Sequence, residues 1–210
     1  KTAIVSCADS LGVNAIELAP VKSAREDTII SKTIAQNTEN IIAIPVGFSI
    51  EEADIENCCI QLLPDEDFIL LPGSQCENYE IFQETVGETV HTVLEEAEQY
   101  YDYVFVDTNP GGDRISRKLL QTADLIVVNL SQNVGVIDRF FWDYPEELRG
   151  KRVFFLFGSY LPDSCYNLSN LRYRYRLIRR NNAAVIPMNV GFMDAIAGGN
   201  VRNYFAKNLE

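Results

Sequence analysis

Six short apolar runs punctuate the chain: Thr2–Ser6, Phe68–Leu71, Tyr103–Val106, Leu125–Leu130, Val153–Phe157 and Ala184–Ile186. Each is continuous rather than alternating and rich in Val, Ile and Phe, the pattern of strands buried on both faces. Between several of them apolar residues recur at helical spacing. Over Tyr79–Tyr100 they are Ile81, Val86, Val90, Val93, Leu94 and Ala97, and further helices are predicted over Ile115–Thr122 and Asn167–Arg180. Strand alternating with helix predicts an α/β fold, a mostly parallel, doubly wound sheet flanked by helices. Gly198-Gly199-Asn200 predicts a break between two C-terminal helices.

The stretch 27–63 fits this alternation less well. Asp27–Gln36 has helical spacing, Ile41–Val46 reads as a strand broken by Pro45, and Ser49–Cys58 reads as a helix capped by Ser49 with Glu52 at its third position. The region is expected to be a peripheral insertion on a single domain spanning 1–208, since no repeat, low-complexity tract or Gly/Ser/Pro-rich linker interrupts the chain. The opening on Lys1 and the closing Leu209-Glu210 pair read as signs of a longer native protein and of a tag remnant at 209–210.

Composition narrows the function classes. The 210 residues are 47% hydrophobic, enough for a sizeable core, and the formal charge of -12 argues against attraction of nucleic acid or anionic lipid to the whole surface. The five cysteines are odd in number, contain no CxxC pair and have only His91 for company, so reduced thiols are expected rather than disulfides or a zinc site. No apolar run reaches the roughly 18 to 20 residues that span a bilayer, and the expectation is a cytoplasmic protein without a membrane contact. The final stretch Val201–Asn208 is also too short and too weakly amphipathic for an interfacial anchor.

The segment Tyr101–Gly112 carries the chemistry. An apolar strand delivers Asp107 at its C-terminal end, where ligands sit in open parallel sheets, and a glycine-containing loop follows at once. A carboxylate there can hold Mg²⁺ through water beside bound phosphates, while Gly111 and Gly112 let the backbone approach a phosphate closely. The competing reading makes Asp107 the cap of the following helix. Near the end of the chain, a Pro after a strand ends its ladder, and Asn189 offers a donor and an acceptor at that edge. A turn-forming asparagine without a ligand is the alternative there.

The runs YDYVFVDTNPG, ADLIVVNLSQNVGVID and VIPMNVGFMDAIAGGNVRNYF together resemble the Walker B strand, the strand after it and the C-terminal section of ParA/MinD-type P-loop ATPases, over roughly 68–205. The resemblance implies a nucleotide-binding switch that uses ATP and Mg²⁺, dimerises with nucleotide and works with a partner protein to position a plasmid, a chromosome or secretion or pilus machinery. It makes Asp107 the Walker B aspartate, Pro110-Gly111 the loop that senses the terminal phosphate, and Pro187 and Asn189 part of the loop that packs the adenine base. Where relatives place an Asn or Asp that reads the base, this chain has Gly158-Ser159-Tyr160, and Ser159 is the candidate substitute.

The chain departs from the family at the phosphate cradle, because no GKGGVGKT-like run occurs anywhere in it. Two explanations stand. In one, Thr2–Ser6 is the family's second strand, the P-loop lies upstream, and Asp9 falls near the aspartate that helps order water and Mg²⁺. In the other, Ser6–Ala15 is a decayed loop in which Gly12 survives while Val13 and Asn14 replace the required Lys and Ser/Thr. The second version predicts a pseudo-ATPase, a non-catalytic scaffold like the TadZ/CpaE-like members, since Val cannot neutralise phosphate charge. Separately, Arg172, Arg174, Arg176, Arg179 and Arg180, interleaved with Tyr173 and Tyr175, form the candidate nucleic-acid surface, against which stands the ease of pairing with nearby carboxylates.

Overall fold

A computed structural model of the chain describes residues 2–6, 55–56, 59–61, 68–71, 79–108 and 113–208. The expected sites at Asp9, Gly12, Pro110 and Gly111, and most of the 27–63 stretch, lie outside the described residues. The chain divides into two compact units, one formed by Lys1–Ser116 with Gly191–Glu210 and the other by Arg117–Val190.

Among the described residues the first unit has four strands in one sheet, in the order β2-β3-β1-β4, from β1 (Thr2–Ser6), β2 (Ile60–Gln61), β3 (Phe68–Leu71) and β4 (Tyr103–Asp107). β1 runs parallel to both neighbours, with Thr2 opposite Phe68 on one side and Ser6 opposite Asp107 on the other. Among the described strands only β2, inside the 27–63 stretch, is antiparallel, and it lies at the end of that order. Helix α1 (Tyr79–Tyr100) turns Val90, Val93 and Ala97 inward, a spacing of three and four that forms one buried stripe. Near the C-terminus, α5 (Val190–Ala197) ends at Gly199, whose φ of 64° is the left-handed value that glycine adopts without strain. Asn200 then donates its N–H to the Ala195 carbonyl at 2.7 Å, and α6 (Val201–Asn208) begins. Phe192 packs against Tyr204 and Phe205 with ring centroids 5.4 and 5.6 Å away, which clamps the two helices together as the Gly-Gly-Asn break predicts.

The second unit holds three parallel strands in the order β5-β6-β7: Leu125–Leu130, Arg152–Tyr160 and Ala183–Pro187. Ile126, Val128 and Leu130 of β5 face a core completed by Phe155 and Phe157 of β6, Ile137 of α3 (Val134–Asp143), Leu171 of α4 (Leu168–Arg174), and Ile178. α2 (Arg114–Thr122) precedes β5 in the chain.

Two sequence expectations need correction. The strands were expected to be buried on both faces, yet β4 and β5 alternate, with Tyr103, Phe105, Leu125 and Val127 exposed. Continuous apolar runs do not by themselves say that both faces are covered. The helix expected over Asn167–Arg180 stops at Arg174, with Asn167 as its cap accepting from the Asn170 N–H at 3.1 Å. Asn182 explains the stop: its side chain accepts from the Arg179 N–H at 2.7 Å and donates to the Leu177 carbonyl at 3.1 Å, taking groups that a continued helix would use. Its own carbonyl accepts from Phe155 at the start of the β6–β7 ladder.

Candidate functional site at the carboxyl edges of the strands

Asp107 is the last residue of β4, and its carboxylate is exposed at the C-terminal end of a parallel pair. The helix-capping alternative is met by a different residue. Asp113 accepts from the Ser116 N–H at 2.9 Å and from its hydroxyl at 2.5 Å, the geometry of an N-cap at the start of α2. Asp107 lies earlier in the chain, at the C-terminal end of the strand, a position from which a carboxylate can meet a hard cation.

In the second unit the carboxyl edge is built by three loops. After β5, Gln132 donates to the carbonyls of Leu161 and Tyr166 at 3.0 and 3.1 Å and accepts from the Leu161 N–H at 2.7 Å. Asn133 next to it caps α3 through the N–H groups of Gly135 and Val136. The ladder between β6 and β7 slips after Phe157 and resumes with Tyr160 opposite Pro187, and the Met188 N–H donates to the Tyr160 carbonyl at 3.1 Å. Ser159 and Asn189 flank that hydrogen bond, so the chain does bring these two expected residues to one edge.

Ser159 has a φ of 48°, the single positive value among the described non-glycine residues. Such backbone strain concentrates at functional sites and persists where the surroundings enforce it. Here the register slip and the Tyr160 hydroxyl, which accepts from the Leu168 N–H at 2.8 Å, hold the turn on its far side. Ser159, Asn189, Ile186, Pro187 and Met188 are all exposed. The edge thus presents a hydroxyl and an amide beside apolar side chains, a combination able to bind the edge and face of a planar heterocycle.

The five arginines separate on the structure. Arg172 is half-buried, and its Nε is buried with no hydrogen-bond partner among the described residues. Arg174 is committed to α3, donating to Asp138 at 2.9 Å and to the Tyr175 hydroxyl at 3.0 Å. That hydroxyl in turn donates to Asp138 at 2.6 Å. The Tyr175 bond, with Arg174 adding to it, holds the Asp138 carboxyl below its ordinary range. Burial, then the neighbouring carboxylate, pushes the Tyr175 phenol up. Arg176, Arg179 and Arg180 follow the helix, exposed and without an ion pair among the described residues.

Sequence reasoning missed Asp113 and Gln132. The Asp-x-x-Ser spacing before α2 was a readable cap signal. Gln132 had none, because its partners lie 29 and 34 residues away. Among the described residues no group of three His, Cys, Asp or Glu could hold a metal ion, and no helix is long and apolar enough to cross a membrane.

No family model matches the chain, and no curated protein sequence matches it. Solved structures do. A ParA family ATPase from Chlorobium tepidum TLS superposes with a TM-score of 0.68 at 14% identity, over 99% of this chain and 80% of that one. MinD in the MinC:MinD complex of Aquifex aeolicus gives a TM-score of 0.58 at 13% identity over 99% and 77%. A plasmid partition protein from Borrelia burgdorferi bound to AMPPNP gives 0.52 at 18% over 95% and 90%. With the parallel strands, their flanking helices and Asp107 at a carboxyl edge, these likenesses establish that the chain has the fold of the ParA/MinD-type P-loop ATPases.

Proposed function

We propose that the chain is the core of a nucleotide-binding positioning protein of the ParA/MinD type. The observation that carries the reading is Asp107 exposed at the C-terminal end of β4, at the carboxyl end of a parallel pair, in a fold shared with ATPases over nearly the whole chain. On this reading Asp107 holds Mg²⁺ through water, Pro110-Gly111 senses the terminal phosphate, and Ser159, Pro187 and Asn189 receive the base. Asp9 assists at the metal if the phosphate cradle lies upstream. Gly12 belongs to a remnant of the cradle if it does not. When bound, ATP with Mg²⁺ would supply the charge that ties two copies together, and its presence or loss would be read by a protein partner in the cytoplasm. The solved relatives support this in kind: one binds AMPPNP and another is found with MinC.

Calorimetry on the complete protein tests it. Saturable, Mg²⁺-dependent ATP binding that Asp107→Ala weakens is the expected result, and no heat with either ATP or ADP at millimolar concentration would refute the reading. A second reading, the non-catalytic scaffold, is favoured by one specific observation: the chain contains no Gly-rich Lys-Ser/Thr run, and Val13 and Asn14 stand in the one stretch that could be its remnant. Mg²⁺-dependent turnover abolished by Asp107→Ala would exclude that scaffold.

A further inference from the structure

Away from the carboxyl edge, the Arg117–Val190 unit carries a cleft of about 300 Å³ lined by Phe141, Pro145, Leu148, Tyr175, Arg176 and Leu177. That volume is at the lower limit for ligand pockets, with room for one or two large side chains rather than a nucleotide. Its aromatic wall is preformed. The Phe141 ring stacks on Tyr175 at 5.3 Å and leans on buried Phe155 at 5.7 Å. The Tyr175 hydroxyl is tied to Asp138 and Arg174, so neither ring can turn freely into the space. An unfilled apolar pocket with a fixed wall pays little ordering cost on binding.

The unit that carries the cleft is cationic, which the whole-chain charge of -12 conceals, and the carboxylates next to the lining residues in sequence, Asp143, Glu146 and Glu147, are each paired with an arginine. Arg117–Val190 contains 11 Lys and Arg against 6 Asp and Glu, a net charge of +5, whereas the remaining residues contain 7 against 24, a net charge of -17. Arg176 lines the cleft itself, and Arg179 and Arg180 follow within four residues; none of the three is consumed by an ion pair among the described residues. Beside the lining residues in sequence, Trp142 is 84% and Tyr173 92% exposed. Tyr175 and Arg176 of the lining itself are of the residue types enriched in binding hot spots.

We infer that this cleft docks a short acidic segment of a partner protein, a large apolar side chain filling the cavity and a flanking carboxylate pairing with Arg176. Arginine meets a carboxylate in a two-pronged geometry, and charge complementarity would steer an acidic segment to this unit and away from the rest of the chain. A nucleic-acid backbone would use the same arginines but would leave the apolar cavity empty. The inference gives chemistry to the protein partner of the function proposed above, yet it involves no nucleotide.

Random 12-residue peptides displayed on phage and selected on the full chain, without nucleotide, test it. The expected consensus is a Leu, Phe or Trp flanked by Asp and Glu. Synthetic peptides of that consensus should bind with affinity reduced about 10-fold or more by Arg176→Glu and by Leu177→Asp. Both positions are exposed, and circular dichroism checks that the variants fold. Arg139→Glu, outside the cleft, should change affinity less than about 3-fold. Selection of no acidic–apolar consensus overturns the inference, as does a consensus indifferent to both variants. It is equally overturned if the chain forms a dimer that Leu177→Asp dissociates, or if random-sequence duplex DNA binds through Arg176 and displaces the peptides. Peptide binding that persists when ATP binding is absent would sustain this inference while the nucleotide reading fails, and the converse result would do the opposite.

Discussion

Replacing Arg117 by Met tests how the second unit holds its buried charge. Glu147, in the turn after α3, is only 7% exposed, and Arg117 on α2 is its ion-pair partner. The guanidinium also donates to the Asp143 carbonyl at 3.4 Å and lies over the Tyr144 ring at 5.3 Å. Met keeps the aliphatic stem but leaves a buried carboxylate without its cation. Breaking a fully buried pair costs about 3–5 kcal/mol. The Arg117 side chain is 39% exposed, so water reaches one side of the pair, and a loss of about 2–3 kcal/mol is the appropriate figure. With a urea dependence of about 2–3 kcal/mol per molar for a chain of this size, the unfolding midpoint should fall by about 1 M. The Tm should fall by roughly 5–10 °C. Adding Glu147→Leu removes the stranded charge and should recover most of the loss. A single variant within about 0.3 M of the parent midpoint, or a double variant no more stable than the single one, would refute the reasoning.

Three further outcomes follow from the same structure. Ser159→Gly relieves a φ of 48° and should stabilise by about 0.5 kcal/mol in urea unfolding, the relief of strain exceeding the entropy that glycine adds to the unfolded chain; destabilisation would show that the hydroxyl makes a compensating bond. Gln132→Ala removes three hydrogen bonds to Leu161 and Tyr166 and should cost about 1–2 kcal/mol, with amide exchange at Leu161 accelerated while β5 keeps its protection. Tyr175→Phe should let the Asp138 carboxyl titrate closer to its ordinary value, followed by carboxyl NMR. Because the folded-state value is depressed, that stabilisation is present above the unfolded value and lost as pH falls through the folded one. The parent should therefore lose more stability than the variant below about pH 4, and equal acid sensitivity would count against the Asp138–Tyr175 bond.

The local rules were enough for most elements. Thr2–Ser6, Phe68–Leu71 and Leu125–Leu130 are strands to the residue, and Tyr79–Tyr100 is a helix to the residue, because short β-rich runs and a long apolar stripe need no distant partner to declare themselves. The Gly198-Gly199-Asn200 break was equally local, since only the left-handed conformation at Gly199 is involved. Helix α3 escaped notice, although Asn133 before it is an ordinary cap, because Gly135 and the β-branched Val134, Val136 and Ile137 weaken its helical signal.

What the chain alone determined is the α/β alternation and the arrival of Asp107 at the end of a strand, both written in residues adjacent in sequence. Only tertiary structure decided which strands pair and that Ser159 and Asn189 share one edge. It also decided that Arg174 is spent on Asp138 while Arg176 borders a cleft. Each of these depends on groups tens of residues apart, brought together by the burial of β-strands and helices whose own sequences say that they must pack but not against what.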